Sequence, residues 1–398
     1  MKIGPKLMKL LNEIGEVELE VAGKEAAELT TKQLNTIATI PVEFRVSQPE
    51  TNVLSLTEKP MKILEAPFDP PRKEYPGQIV EVKLGATKSE GGSRARSIVI
   101  GGEKAPTFFD FRIPSRHPPV VACDVFDSRI PLPRAVKTYV EDVLDDPAAW
   151  AKLCVDKFGA EMITLQLVSI DPKIKDTSPK EAVKTVEEVL QAVNVPLAVG
   201  GCGDPVKDMA VFEEVSQMAQ GERLLISSVS IWMNVKEAAE IIKRYGHVAL
   251  ALSGMDMNEA RELNRTLYQT LPREQIVMDP STASLGSGLE FTYTLMARLR
   301  LAAVMGDNEL QHPMSSGVTN AWFARESWKK MSPQWEPREL RGPLWETVTA
   351  LSSLAAGCDF FMMMHPAAIQ TIKDLIKSLT KESAKKTDEI SDWISLRI

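Results

Sequence analysis

Between about residues 120 and 365 the chain repeats one unit eight times, a short apolar, β-branched run followed by an amphipathic helical stretch. This alternation constrains the fold more than any other feature. The runs fall at residues 120–124, 162–167, 196–200, 224–228, 247–252 and 275–279, with a weaker one at 313–320 and a last one at 360–365. Runs of this length, separated by helices, suit parallel strands covered on both faces. Eight such units in roughly 250 residues predict an α/β chain folded as a (β/α)8, or TIM, barrel. An open doubly wound sheet is the competing arrangement, and the regular spacing of the units favours closure.

The intervening stretches carry helix punctuation. Ser178-Pro179-Lys180-Glu181 places an N-cap, a proline at the first helical position and a glutamate at the third, ahead of an apolar stripe of Ala182, Val186, Val189, Leu190 and Val193. Asp146-Pro147 opens another helix, with Trp150, Leu153, Cys154 and Phe158 on one face and Gly159 as its stop. Asp204-Pro205 and His365-Pro366 repeat the pattern of a strand end leading into a proline-started helix.

Upstream the texture changes. Residues 80–84 and 97–100 alternate like strands and are joined by a polar loop containing Glu90-Gly91-Gly92-Ser93, which predicts a β-hairpin. Five prolines from Pro60 to Pro76 punctuate an extended stretch. Residues 1–45 suggest short helices near 6–14 and 24–37. The expected organisation is a small N-terminal accessory region (1–78), a hairpin lead-in (79–116), the barrel (117–380) and a charged helical tail (381–398).

At 44% hydrophobic and 25% charged, the chain can bury a substantial core. A net charge of −7 argues against a nucleic-acid partner, which calls for clustered Lys and Arg. No apolar run approaches the ~20 residues of a bilayer span, and the N-terminus lacks the pattern of a signal peptide. No membrane association and a cytoplasmic location are therefore expected. Cys123, Cys154, Cys202 and Cys358 are each isolated, without the close spacing typical of iron–sulfur or zinc sites, so no iron–sulfur cluster is expected on this chain.

In a barrel, chemistry collects at the C-terminal ends of the strands. Asp204 before Pro205 reads as a helix cap. Asp279 stands between bracing its loop and a functional role. His365, at a helix N-terminus that disfavours its protonated form, is expected as a neutral, capping imidazole. Cys202 has no basic neighbour in sequence to activate it. No hydrolytic triad signature, P-loop or His-Glu-x-x-His motif is present. The residues expected at the mouth are Asp124, Gly203, Ser228, Asp279, Ser281, Thr282, Asn320 and His365. By residues alone, this is a barrel with a polar mouth and no self-evident catalytic set.

The segment Lys83-Leu84-Gly85-Ala86-Thr87-Lys88-Ser89-Glu90-Gly91-Gly92-Ser93-Arg94, continuing to Gly101-Gly102-Glu103, resembles the opening of the small subunits of corrinoid/iron–sulfur proteins. The likeness continues through Val199-Gly200-Gly201-Cys202-Gly203-Asp204, residues 276–290, residues 296–307, Leu344-Trp345-Glu346 and Met364-His365-Pro366, spanning about residues 80–380. Residues 1–78 resemble the extra N-terminal region of the archaeal version, the delta subunit of the acetyl-CoA decarbonylase/synthase complex. The resemblance implies a heterodimer with a larger gamma subunit that supplies the [4Fe–4S] cluster. The two chains would share a corrinoid (cobamide) at their interface.

Cobalt would accept a methyl group from a methyl-tetrahydropterin donor, or its methyltransferase, and pass it to the nickel–iron centre on another subunit of the complex. The chain lacks the Asp-x-His-x-x-Gly pattern that supplies a lower cobalt ligand in many corrinoid proteins, which fits this family. A methyl-tetrahydropterin:corrinoid methyltransferase of the same barrel class and a mainly structural scaffold are the alternatives.

Overall fold

The computed structural model of the protein describes residues 74–107 and 117–380, together with two short N-terminal strands. Those strands, β1 (Val17–Leu19) and β2 (Ala27–Leu29), pair antiparallel within a unit, Met1–Pro70 with Ile390–Ile398, separate from Pro71–Glu389. The helix expected over 24–37 is thus a strand at Ala27–Leu29. Ala-Glu-Leu favours a helix in isolation, and pairing overrides so short a preference. The helix expected at 6–14 and the tail at 381–398 lie outside the described residues.

In the larger unit, β3 (Val82–Leu84) and β4 (Ile98–Ile100) form the expected antiparallel hairpin. Eight strands follow: β5 (Val120–Phe126), β6 (Met162–Gln166), β7 (Leu197–Gly200), β8 (Leu225–Ser230), β9 (Val248–Leu252), β10 (Ile276–Asp279), β11 (Ser315–Gly317) and β12 (Phe360–Met363). They form one sheet in the order β10-β9-β8-β7-β6-β5-β12-β11, with every neighbouring pair parallel. A parallel bridge from Met278 to Met314 brings the two outer strands together, so the sheet closes into the expected barrel.

The helices are α1 (Arg134–Val140), α2 (Pro147–Asp156), α3 (Pro179–Ala192), α4 (Pro205–Met218), α5 (Val235–Tyr245), α6 (Met257–Leu267), α7 (Leu289–Val304), α8 (Arg341–Ala355) and α9 (Pro366–Thr380). Their starts follow the sequence signals. Ser178 and Glu181 form the capping box of α3, and the Asp146 carboxylate accepts from Ala149 N at 2.9 Å to open α2. Cys154 lies in the packing stripe of α2 as expected, its Sγ 3.0 Å from that of Cys123 on β5.

Period-two alternation divides each strand between two cores. Outward residues such as Val121, Cys123, Ile163, Val199, Ile226, Met278 and Phe361 pack against the helices. Inward residues Val120, Ala122, Met162, Ala198, Leu225, Val248, Leu250, Val277, Phe360 and Met362 fill the barrel. They share that core with Val82, Leu84 and Ile100, so the hairpin plugs the N-terminal end of the barrel. One step further along the strands the inward row turns polar: Ala122 is followed by Asp124, Leu225 by Ser227 and Val277 by Asp279. The barrel is apolar and sealed at one end, polar and open at the other.

Two buried arginines fasten the lead-in. Arg94 donates to the carbonyls of Val193 (2.6 Å) and Leu190 (2.9 Å) at the end of α3, and pairs through Nε with Glu222 at 2.8 Å. Arg300 on α7 joins Glu103 (3.1 Å) and Asp359 (2.5 Å), and Asp359 also accepts from Met314 N at 2.8 Å beside β11. Replacing Arg94 by Met should cost about 2–4 kcal/mol in urea unfolding, because two carbonyls and a carboxylate lose their donor inside the protein. Arg94→Lys should recover less than half of that loss, since one ammonium cannot span all three acceptors.

Candidate functional site

The open end of the barrel holds a cavity of about 810 Å3. Seven of the eight residues expected at the mouth line it: Asp124, Gly203, Ser228, Asp279, Ser281, Thr282 and Asn320. Asp124 lies inside β5 rather than at its end, because the apolar run continues through Val125 and Phe126. Its side chain therefore sits deep, 3% exposed, with Oδ2 accepting the Thr319 hydroxyl at 2.6 Å. Asp279 accepts from Ser281 N at 2.9 Å, and the Ser281 hydroxyl donates to Ser253 O at 2.9 Å. Ser281 holds φ 62, a left-handed conformation unusual for a serine, which those two hydrogen bonds fix in place.

Thr282 shares a hydrogen bond with Ser316 (3.1 Å) and accepts from Gly317 N (3.0 Å), while Asn320 Nδ2 donates to Thr282 O (2.9 Å). This chain of contacts welds the loop after β10 to the turn after β11. On the opposite wall, Cys202 N (2.7 Å) and Gly203 N (3.0 Å) both donate to the Asp208 carboxylate. A side chain on Gly201 would collide with that carboxylate, its Cβ coming within 2.2 Å, so glycine there is a packing requirement. Asp204 caps α4, accepting from Val206 N (3.0 Å) and Lys207 N (3.1 Å), as the sequence indicated.

His365 is the exception among the eight. It does not line the cavity: its ring lies behind Trp322, stacked at 5.9 Å between centroids, with Tyr139 edge-on at 5.1 Å. Its Nδ1 accepts from Ala367 N at 3.2 Å in the first turn of α9, and burial pushes its pKa down to about 4. It is the neutral capping imidazole the sequence suggested, and the bulk of Trp322 separates it from the mouth.

Trp322 was not foreseen, nor was Glu346, the residue that holds it. Glu346 on α8 is fully buried and accepts from Trp322 Nε1 (3.1 Å), Met364 N (2.5 Å) and His365 N (3.1 Å). It ties the turn after β11, helix α8 and the exit of β12 into one wall. A Cβ on Gly342 would come within 2.1 Å of the Trp322 ring, so that glycine makes room for the indole. Gly342, Glu346, Thr349 and Ser353 recur at helical spacing on the buried side of α8, a signal in the sequence that marks a polar inner face. Gln166, Thr319, Phe323 and Trp328 also line the cavity without having been expected.

Burial dominates the electrostatics. It raises the carboxyl of Asp124 to about 7, against the hydroxyl donors that lower it, and that of Asp279 to about 6. It also raises Glu346 to about 7 despite its three donors. Cys202 is pushed up to about 11, which leaves it an unreactive thiol near neutrality. Among the described residues, no Lys, Arg or His lines the cavity, and no group of three or more His, Cys, Asp or Glu is arranged to hold a metal. No described helix is long and apolar enough to cross a membrane.

The family model of the CO dehydrogenase/acetyl-CoA synthase delta subunit matches residues 81–333. The acetyl-CoA decarbonylase/synthase complex subunit delta of Methanosarcina mazei is 49% identical over 333 residues, covering 82% of this chain and 76% of its own. That of Archaeoglobus fulgidus is 46% identical over 346 residues, covering 85% and 76%. That of Methanocaldococcus jannaschii is 41% identical over 398 residues, covering 98% and 96%, a match that takes in the N-terminal region. Among solved structures, a dihydropteroate synthase from Stenotrophomonas maltophilia is similar at a TM-score of 0.46 and 12% identity, covering 66% of this chain and 93% of that one.

Asp124 has a measurable consequence for stability. Its folded pKa of about 7 lies above its ordinary 3.8, so from about pH 4 to 7 the folded chain keeps a proton that the unfolded chain releases. That contribution to stability is present at low pH and is lost as pH rises through 7. Asp124→Asn, which cannot ionise, should match the parent near pH 4 and exceed it by roughly 1–3 kcal/mol at pH 8 in urea unfolding. A parent that is the more stable of the two at pH 8 would mean that the carboxylate is ionised and paired there.

Proposed function

The chain belongs to the CO dehydrogenase/acetyl-CoA synthase delta subunit family, and from that membership we propose that it is the barrel half of a methyl-carrying corrinoid/iron–sulfur pair. The other half is a large gamma subunit that carries the [4Fe–4S] cluster and a corrinoid-binding domain. Together they take a methyl group from a methyl-tetrahydropterin and deliver it to the nickel–iron site of an acetyl-CoA decarbonylase/synthase complex. The observation that carries this reading is the likeness to a delta subunit at 41% identity over 98% of the chain.

The mouth suits one side of a corrinoid. A corrin with its rim of amides is too large for a cavity of about 810 Å3, so it would lie across the opening rather than enter it. Ser228, Asn320 and the open backbone at Gly203, which line the cavity, would meet those amides, and Phe323 and Trp328 would cover apolar surface and exclude water. When bound, such a group supplies a cobalt centre able to accept and release a methyl. Among the described residues no histidine lines the mouth, in keeping with a corrinoid held without an imidazole from this chain.

The outer surface supports a permanent partner. On α8, Leu344, Val348 and Leu351 recur at helical spacing and are 38–55% exposed; on α7, which packs beside it, Tyr293 and Leu301 are 45% and 47% exposed, and Met305 just past its end is 48% exposed. An apolar outer stripe on α8, with exposed apolar side chains on the neighbouring α7, supports docking of a partner subunit on this face.

Co-expressed with a gamma subunit, the chain should elute as a one-to-one pair in size-exclusion chromatography with light scattering. Leu344→Glu and Val348→Glu should each weaken pairing at least tenfold. Pairing that survives both charges would remove this face from the interface, and a chain that stays unpaired beside gamma would overturn the proposal.

A further inference from the structure

Behind the mouth lies a pair of side chains that the carrier role does not use. Cys123 on β5 and Cys154 on α2 are both free thiols, 1% and 0% exposed, and the Cys123 thiol donates to the Cys154 sulfur at 3.0 Å. A disulfide bond spans ~2.05 Å, so about 1 Å of approach separates this contact from a covalent link. Cys202 and Cys358 lie elsewhere: Cys202 lines the cavity, and Cys358 donates to the carbonyls of Met314 and Phe360, each at 3.3 Å. The close pair brackets a stretch that builds one wall of the mouth. Between the two sulfurs in sequence lie Asp124, Phe126 and residues 130–133, which all line the cavity, and the whole of α1. Phe126 also packs on Trp150 of α2, ring centroids 5.8 Å apart, a second contact that holds strand and helix together. The hydrogen bond to Cys154 and burial keep the Cys123 pKa well above its usual value, so the thiol stays protonated near neutrality. Bulky reagents are kept out by burial, and a small uncharged oxidant enters when the structure opens locally.

We propose that Cys123 and Cys154 form an intramolecular disulfide when the chain meets a peroxide, and that this bond staples one wall of the mouth. The steps balance with the peroxide as oxidant. One sulfur attacks the O–O bond: an S–O bond forms, the O–O bond breaks, and the thiol proton leaves with the departing hydroxide as water. The second thiol, already in contact, attacks the sulfenic sulfur; the S–S bond forms, the S–O bond breaks, and a second water departs with the second thiol's proton. Two thiols are oxidised to one disulfide, and one hydrogen peroxide is reduced to two waters. Contact between the sulfurs favours this second step over further oxidation to a sulfinic acid. The bond closes a loop from residue 123 to residue 154, which restricts the unfolded chain and ties β5, α1 and α2 together. The inference concerns this chain alone, so it goes beyond the preceding reading and stands or falls without the gamma subunit.

The test treats the folded full-length chain with hydrogen peroxide, blocks the remaining thiols with N-ethylmaleimide in denaturant, and maps tryptic peptides without reduction. Trypsin places Cys123 on the peptide ending at Arg129 and Cys154 on the peptide ending at Lys157, so the link joins two separable fragments. The expected product is a chain two hydrogens lighter, cross-linked between Cys123 and Cys154, that takes up two maleimides in place of four. It should unfold at a higher urea concentration than the reduced chain and exchange amide hydrogens more slowly over residues 127–133. Reduction with a phosphine should restore both. Cys202→Ala and Cys358→Ala should form the link as the parent does. In Cys154→Ala the link should be absent, and Cys123, without a resolving thiol, should gain two oxygens. The parent's own peptide map decides the question even where a cysteine variant fails to fold. A folded parent that yields no such link, links that involve Cys202 or Cys358 as often, or a linked chain that unfolds more readily than the reduced one would each overturn the proposal.

Discussion

The interior of a closed eight-stranded barrel has to be filled from one end, and here a hairpin fills it. Val82, Leu84 and Ile100 enter the same core as the inward residues of the strands and seal their N-terminal ends. Since the lower interior is occupied by Val120, Met162, Leu225, Val248 and Phe360, polar side chains can enter the barrel only at the opposite end. The buried guanidinium of Arg94 fixes the hairpin in that position by satisfying the last carbonyls of α3 and the carboxylate of Glu222. The location of the mouth, its depth and the burial of its acids all follow from this plug.

The same closure sets the electrostatic character of the mouth. Asp124 and Asp279 stand one inward step above apolar layers, where ionisation is penalised, and both are driven toward neutrality by burial. Glu346 is raised in the same way, yet its three donors make it a clamp for Trp322 and for the chain leaving β12. One buried carboxyl thus serves architecture, and another, Asp124, takes the Thr319 hydroxyl at the floor of the mouth. Carboxyls held toward their protonated form, hydroxyls and backbone amides give the mouth a polar lining with no Lys, Arg or His among it.

Much of this was legible in the sequence, because the relevant signals are local. The period of the apolar runs gave eight strands, Ser178 and Asp204 announced helix starts, and the bend at Gly91-Gly92 announced the hairpin. Strand ends were less certain: β5 runs two residues beyond Asp124, and that extension decides how deep the carboxyl lies. Contacts between distant segments were not readable at all. Nothing near Trp322 in the chain indicates that Glu346 bonds its indole, or that Gly342 clears its space. His365 stood at a strand end like the others, but its ring stacks on Trp322 and caps the following helix instead of lining the cavity. At Ala27–Leu29 a helix-favouring tripeptide pairs as a strand, a choice made by its partner rather than by its composition.

The central claim is that this barrel is half of a shared cofactor site. Counting cobalt, iron and sulfide, with visible spectra, on the purified chain alone and on its pair with a gamma subunit tests that claim most directly. The account predicts neither metal in stoichiometric amount on the lone chain, and both a corrinoid and an iron–sulfur cluster on the pair. Stoichiometric iron and sulfide on the lone chain, or a pair that forms without cobalt, would contradict it.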